Sequence, residues 1–389
     1  MTEGPASSNP ALVLAKIIMA VEQCFPHPLC ERYVNGSAIN SLFEEALCAQ
    51  DRRAFTRACQ RFLCGLQNGH TGFSDERLPI ARIGFHARPL DGRWTVVKSR
   101  RRDILVGDVV RSLGDTLMDT IFEELSPYVS ASRAKNAQAS LLFHTDLLPH
   151  DAGLWKLEGK NSAPFEDEGP SPAPPNAELV MGTGDIAILR LPDCAAPTIE
   201  RATALLDETP PYRALTLDLI GYGGGNTPVS LICRLVRGRW QLWTDVSMLR
   251  DGLALAQGDT TRTMIQRPSP DFDGCKDAFD GPLAILTDPL TASAAEDLIL
   301  ALTHGERTGP TIVVGETTAG TTGQPFFENL GNGMTFRVAA KRCLFPSGDR
   351  FEGIGFEPHI VVAPTPEGLA SGKDEVLTAG LEILSQKPI

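Results

Sequence analysis

The chain has 389 residues, 42% of them hydrophobic, 22% charged and 6% aromatic. That is a globular composition, too long for one small core and suited to two or three domains. A net charge of −12 and a pI near 5.1 argue against nucleic acid or anionic lipid as the main partner. The KSRRRD run from Lys98 to Asp103 is a local exception, read as a solvated loop or strand edge.

The N-terminus has no basic leader region, and nowhere do the roughly 18 apolar residues of a membrane span occur. The nine cysteines form no CxxC pair and no Cys/His spacing suited to zinc. Reduced thiols in a cytoplasmic protein, with no metal and no cofactor, are therefore expected.

In chain order, residues 1–75 read as a helical region. Leu12, Leu14, Ile17, Ile18 and Val21 form one apolar stripe, and Phe43, Ala46, Leu47 and then Phe55, Ala58, Phe62, Leu63 suggest two more. Asn40 or Ser41 is the expected cap of the middle helix. His70 follows in a Gly69-His70-Thr71-Gly72 loop, a signal that alone means no more than a loop histidine. Residues 76–157 show period-two runs with a hairpin turn at Asp91-Gly92. Leu105–Val110 followed by Gly114-Asp115-Thr116 suggests a PDZ-like strand and turn. Residues 158–178 hold five prolines between Pro164 and Pro175 and read as an exposed linker. From 179 to 389 strand and helix alternate: strands at 185–191, 214–219, 283–287 and 311–314, helices at 198–206, 228–236 and 294–302, and a closing helix at 374–384. This predicts a mainly parallel sheet flanked by helices, with 240–280 as a ribbon or lid.

Ser293 stands where the 283–287 strand turns into the next helix. Ala295, Leu298, Ile299 and Leu302 bury one face of that helix. The serine then precedes the first turn, where free N–H groups and the positive helix end face outward. It could cap the helix, or attack a carbonyl while the N–H of Ala294 holds the oxyanion. Asp218-Leu219-Ile220-Gly221-Tyr222-Gly223-Gly224-Gly225 places a glycine run at a strand's carboxyl edge, where ligands bind. No Gly-Lys-Ser/Thr follows, nor a dinucleotide-type glycine register, so the N–H groups of Gly223 and Gly224 fit an oxyanion better than a phosphate.

The order GHT (69–71), DLIGYGGG (218–225), TASAAE (291–296), GETTAG (315–320), EGIGFEP (352–358) resembles the tail-specific, or C-terminal processing, protease family. The closer resemblance is to the branch with tricorn protease, the chlamydial secreted protease and the interphotoreceptor retinoid-binding protein repeats. That resemblance implies a crotonase-like α/β fold with Ser293 as nucleophile. Some members use a lysine base after the GETTAG turn, where this chain has Thr321. The Ser-His-Glu alternative assigns His70 as base and Glu352 as its orienting carboxylate. Ile220, Tyr222 and His359 depart from the family pattern. His359 is a rival base, read as structural, and Glu296 and Glu357 are rival carboxylates. The resulting expectation is a serine hydrolase cleaving peptide or protein substrates through an acyl-enzyme. The alternatives are a binding module for small hydrophobic ligands or peptides, and an enzyme of ester or acyl chemistry on a specialised metabolite.

Overall fold

The computed structural model describes residues 9–27, 37–149, 153–167, 169, 176–209, 211–222, 224–249, 252–258 and 263–386. It begins with helices α1 (Pro10–Cys24), α2 (Ser37–Leu47) and α3 (Arg52–Cys64). Asn9 caps α1 through the Ala11 N–H at 3.0 Å, and Asp51 caps α3 through the Ala54 N–H at 2.8 Å. Helix α2 starts upstream of the expected caps, so Asn40 and Ser41 lie within it. The apolar stripes do not close a core by themselves. Strand β1 (Gly72–Asp75) adds Phe73, and a strand far along the chain adds Met334, Phe336, Val338 and Ala339.

The next unit holds the hairpin β2 (Phe85–Leu90) and β3 (Arg93–Ser99). Its turn residues Asp91 and Gly92 have φ of 48° and 73°, the left-handed pair that such a turn requires. Strands β4 (Val110–Leu113), β5 (Thr116–Leu117), β6 (Leu154–Leu157) and β7 (Ala163–Pro164) form a second, antiparallel sheet, with α4 (Met118–Leu125) against β4 and β5 and α5 (Ala134–Ser140) against β2. The Pro/acidic stretch is not all linker: Ala163 and Phe165 are buried in this unit's core with Trp94 and Trp155. Residues 168 and 170–175 lie outside the described ones. Nor is the basic run all solvated. Arg101 is buried, pairs with Asp103 at 2.7 Å and donates to the Pro164 carbonyl at 2.9 Å.

The remaining chain builds one six-stranded sheet. Strands β8 (Glu178–Met181), β9 (Ile186–Arg190) and β10 (Ala214–Asp218) are followed by an excursion comprising β11 (Arg239–Trp240), β12 (Thr244–Leu249), β13 (Thr263–Arg267) and β14 (Phe272–Asp273). The chain returns through β15 (Leu283–Thr287) and β16 (Thr311–Gly315). It then makes a hairpin, β17 (Pro325–Gly331) with β18 (Met334–Ala339), and the short strands β19 (Arg342–Leu344) and β20 (Ile360–Val361). The sheet order is β20-β16-β15-β10-β9-β8, parallel except for β8 at one edge. All five residues of β15 are buried, as expected of a central parallel strand covered on both faces. One face carries α6 (Ala196–Glu208), α7 (Val229–Leu235) and, later in the chain, the helix that follows Ser293. The closing helix (Glu375–Ser385) covers the other face through Val376 and Leu384. The excursion is the expected ribbon: β12 pairs with β13 and with β19.

The crotonase-like expectation is corrected here. Strands β9, β10, β15, β16 and β20 join one open sheet in chain order, each next to its predecessor, with no spiral of repeated strand-strand-helix turns. No helix among the described residues is long and apolar enough to cross a membrane.

Candidate active site

Strand β15 delivers the chain to a turn held from inside. The buried carboxylate of Asp288 accepts the N–H groups of Leu290 at 3.1 Å and Thr291 at 3.0 Å, and that of Gly221 at 3.1 Å. It thereby ties the Ser293 turn to the glycine run; the sequence reading did not single it out. Ser293 itself has φ 59° and ψ −124°, a conformation that side-chain-bearing residues adopt at a cost of about 1–3 kcal/mol. It stands at the N-cap position of helix α8 (Ala294–His304). The Ser293 N–H donates to the Thr321 carbonyl at 2.9 Å and to Glu296 Oε2 at 3.1 Å. Glu296, fully buried, also accepts from the Thr318 hydroxyl at 2.5 Å and from the N–H groups of Gly320 at 2.8 Å and Thr321 at 3.1 Å. Burial pushes its carboxyl up to about 8, and these donors oppose the shift.

His70 arrives on the loop between α3 and β1. Its N–H donates to Asn68 Oδ1 at 2.8 Å. The Gly69 N–H donates to Ser132 Oγ at 3.0 Å, and the Gly69 carbonyl accepts from Arg337 at 3.0 Å. A Cβ on Gly69 would lie 2.9 Å from Thr321 Cγ2, so glycine here lets the loop close onto the 320–322 turn. The imidazole sits between two hydroxyls: Nε2 is 3.2 Å from Ser293 Oγ and Nδ1 is 3.0 Å from Thr321 Oγ1. Burial, and then the charges of Arg337 and Lys341, lower its pKa to about 4.

The structure does not bring Glu352 into contact with His70. This buried carboxylate accepts from the Thr322 N–H at 3.3 Å and from Asn68 Nδ2 at 3.4 Å. It therefore stands behind the loop and the turn. Burial, and then the charge of Glu296, push its pKa well above the usual carboxylate range. Of the rivals, His359 accepts the Val313 N–H at 2.9 Å and serves the sheet. Glu357 is exposed. Glu296 holds the Ser293 turn itself. The residue that meets the imidazole's far side is Thr321, which the sequence showed as the place where a lysine is missing.

The Ala294 N–H, at the first position of α8, makes no hydrogen bond among the described residues. Gly224 and Gly225 have φ of 84° and 146°, and a Cβ on Gly225 would lie 2.4 Å from the Cys194 carbonyl carbon. Gly223 lies outside the described residues. Ile220 is partly exposed, and Tyr222 is buried against the cleft. A cleft of about 970 Å³ joins these parts, lined on one side by Lys98, Asn136 and Phe143 and on the other by Ser293, Thr321 and Arg337. The Asn136 side chain donates to the Pro289 carbonyl at 2.9 Å, and Arg88 pairs with Glu316, fastening the two sides. Among the described residues no three His, Cys, Asp or Glu side chains converge as a metal site would need.

Residues 185–362 match the model of peptidase family S41. Among curated proteins, none matches the chain in sequence. Among solved structures, mature CPAF complexed with lactacystin is similar, with a TM-score of 0.73 at 14% identity over 97% of each chain. The photosystem II D1 C-terminal processing protease is similar with a TM-score of 0.55 at 19% identity, covering 97% of this chain and 98% of that one. These likenesses extend over nearly the whole length. They set the fold with this mixed α/β peptidase architecture and away from a crotonase-like spiral.

Proposed function

We propose that this chain, whose residues 185–362 match the model of peptidase family S41, hydrolyses peptide bonds with Ser293 as nucleophile and His70 as general base. The observation that carries the reading is the 3.2 Å approach of His70 Nε2 to Ser293 Oγ, across 223 residues of chain and at a strained serine on the rim of the cleft. His70 is neutral at pH 7 with its pKa near 4. If its Nδ1–H donates to Thr321 Oγ1, the lone pair of Nε2 faces the serine hydroxyl, which is the tautomer a base requires.

The steps follow from that arrangement. Ser293 Oγ attacks the substrate carbonyl carbon as its proton passes to Nε2, and the N–H groups of Ala294 and of Gly224, with Gly223, stabilise the oxyanion. The carbon–nitrogen bond breaks as Nε2–H protonates the departing amine, leaving an ester on Ser293. Water, deprotonated by the same imidazole, then attacks the acyl carbon; the bond to Ser293 Oγ breaks as Nε2–H returns its proton to Oγ, and the acid is released. In the Ser-His-Glu assignment Glu352 acts through its neighbours. It orients Asn68, which fixes the His70 backbone, and it holds the N–H of Thr322 beside Thr321.

The test is reaction with a fluorophosphonate followed by mapping of the labelled residue. Label on Ser293 in the wild type, and none in His70→Ala that retains the wild-type circular dichroism, supports the assignment. Folded wild-type protein that takes no label refutes it.

A further inference from the structure

Behind the His70 loop lies a second cavity, of about 430 Å³, within the size range of small-molecule sites. It shares no lining residue with the cleft. Neighbours in sequence divide between the two: Gly69, His70 and Lys341 line the cleft, whereas Asn68 and Arg342 line the cavity. Two guanidiniums belong to the cavity, Arg342 of β19 and Arg350 of the turn that leads to Glu352. Arg342 Nε is buried without a hydrogen-bond partner, and neither guanidinium forms an ion pair among the described residues. Buried arginines elsewhere are satisfied, Arg88 by Glu316 and Arg101 by Asp103. Glu352 is the cavity's one acid, and its two oxygens are taken by the Thr322 N–H and Asn68 Nδ2.

Burial and then Arg350 push Arg342 below its usual pKa, with Glu352 opposing. His27 is lowered to about 3 by burial and then by the same two arginines. The field in the cavity is therefore positive in spite of Glu352. Its other polar groups offer hydrogens. Asn68 Oδ1 accepts the His70 N–H, so the nitrogen Nδ2 is the atom that faces His27 Nε2 at 3.3 Å. Nε2 is then an acceptor and Nδ1 carries the imidazole hydrogen. Ser132 Oγ accepts the Gly69 N–H at 3.0 Å, and its own O–H donates to no described residue.

Two cations and a surplus of donors fit one acceptor-rich dianion, and a guanidinium fork matches phosphate oxygens bidentately. We propose that this cavity binds a phosphate group, free or as a small monoester, between Arg342 and Arg350, and that the bound group acts on the His70 loop. Asn68 holds the His70 N–H and faces both His27 and Glu352, while Ser132 holds the Gly69 N–H. A ligand that draws on His27 or Ser132 thus alters the hydrogen bonds that place the imidazole. Binding is independent of the acyl-transfer reading above; its effect at Ser293 rests on that reading.

The experiment titrates the full chain with inorganic phosphate and, separately, with glycerol 3-phosphate by isothermal calorimetry, the ionic strength held constant with chloride. Saturable binding of one molecule per chain is expected, weakened roughly 10–100-fold in Arg342→Gln and in Arg350→Gln, as on loss of a charge-assisted hydrogen bond. Arg350 is exposed, so its variant keeps the test open should Arg342→Gln lose the wild-type circular dichroism. Arg337→Gln, which removes a cation of the cleft, should leave binding unchanged. The tighter of the two probes tells a phosphate monoester from the free ion. The rate of fluorophosphonate labelling at Ser293 should change several-fold at saturation in the wild type and stay constant in Arg350→Gln. No saturable binding, binding that survives either folded arginine variant, or binding lost in Arg337→Gln overturns the site. Binding with an unchanged labelling rate keeps the site and overturns its action on the loop. Binding by folded protein that takes no label refutes the acyl-transfer reading and leaves the phosphate site standing.

Discussion

The Ser293 turn and the His70 loop meet at 3.2 Å, yet they are fixed by partners at very different distances along the chain. Glu296 reaches Ser293, Gly320 and Thr321 at separations of 3, 24 and 25 residues. The loop's partners Ser132, Thr321, Arg337 and Glu352 lie 63, 251, 268 and 284 residues from the loop atoms they bond. The geometry of Ser293 is thus built into one strand-turn-helix segment with its following turn. The geometry of His70 belongs to the assembled fold. Changes around Glu296 should therefore cost stability and rate together, whereas changes around His70 should cost rate with little loss of stability.

The largest effect tests whether the two regions act as one unit. Ser293→Ala and His70→Ala should each lower kcat by about 10⁴-fold or more, and the double variant should be no worse than either. Independent, multiplying losses would separate the pair. Next comes Glu296→Ala, which strips four donors of their buried acceptor and should lower unfolding stability by about 3–5 kcal/mol in urea titrations. Unchanged stability would remove the contrast drawn here. Thr321→Val should then reduce kcat roughly tenfold, in keeping with one positioning hydrogen bond, with stability near wild type and most activity recovered in Thr321→Ser. A larger kcat loss in Glu352→Gln than in Thr321→Val would show that the glutamate reaches the imidazole directly during turnover.

The smallest effect concerns pH. Burial first, then Arg337 and Lys341, hold His70 near 4 rather than 6.5. The imidazole is therefore neutral above that value and protonated as pH falls through it, and with His70 as the proposed base the acid limb of kcat/KM should lie near pH 4–5. Arg337→Gln removes one repelling charge and should move the limb upward by less than a unit. A limb near pH 6.5 in the wild type would mean that the imidazole is better solvated than its packing indicates.

What the sequence disclosed follows the same division. Leu283–Thr287 is a continuous apolar run and the next helix repeats at i, i+3, i+4, i+7, so local pattern was enough for the setting of Ser293. The GHTG loop has no periodicity, and His70 stood out only through the order of motifs across the chain. Glu352 ranked above Glu296 only by its match to a motif, and no local pattern shows that the two hold adjacent N–H groups of one turn, those of Thr321 and Thr322, from opposite directions in sequence. Thr321 was legible as a missing lysine, but a hydroxyl's choice of partner depends on a loop arriving from 251 residues away. The Pro/acidic stretch misled because prolines hide a strand at a sheet edge, where the N–H is not needed. Phe165 was the overlooked sign of a core.

The pairing of β1 with β18 also imposes an order on biosynthesis. The segment that follows His70 finds its strand partner in β18, where Asp75 faces Met334 and Gly72 faces Arg337, far downstream in a chain made from its N-terminus at about 5–20 residues per second. Until that strand is made the polypeptide carries its histidine without the β18 partner, and the helices that precede it lack the four apolar side chains that finish their core. The docking of the His70 loop therefore awaits the synthesis of β18, and a ribosome-bound fragment ending before residue 334 lacks the strand with which β1 pairs.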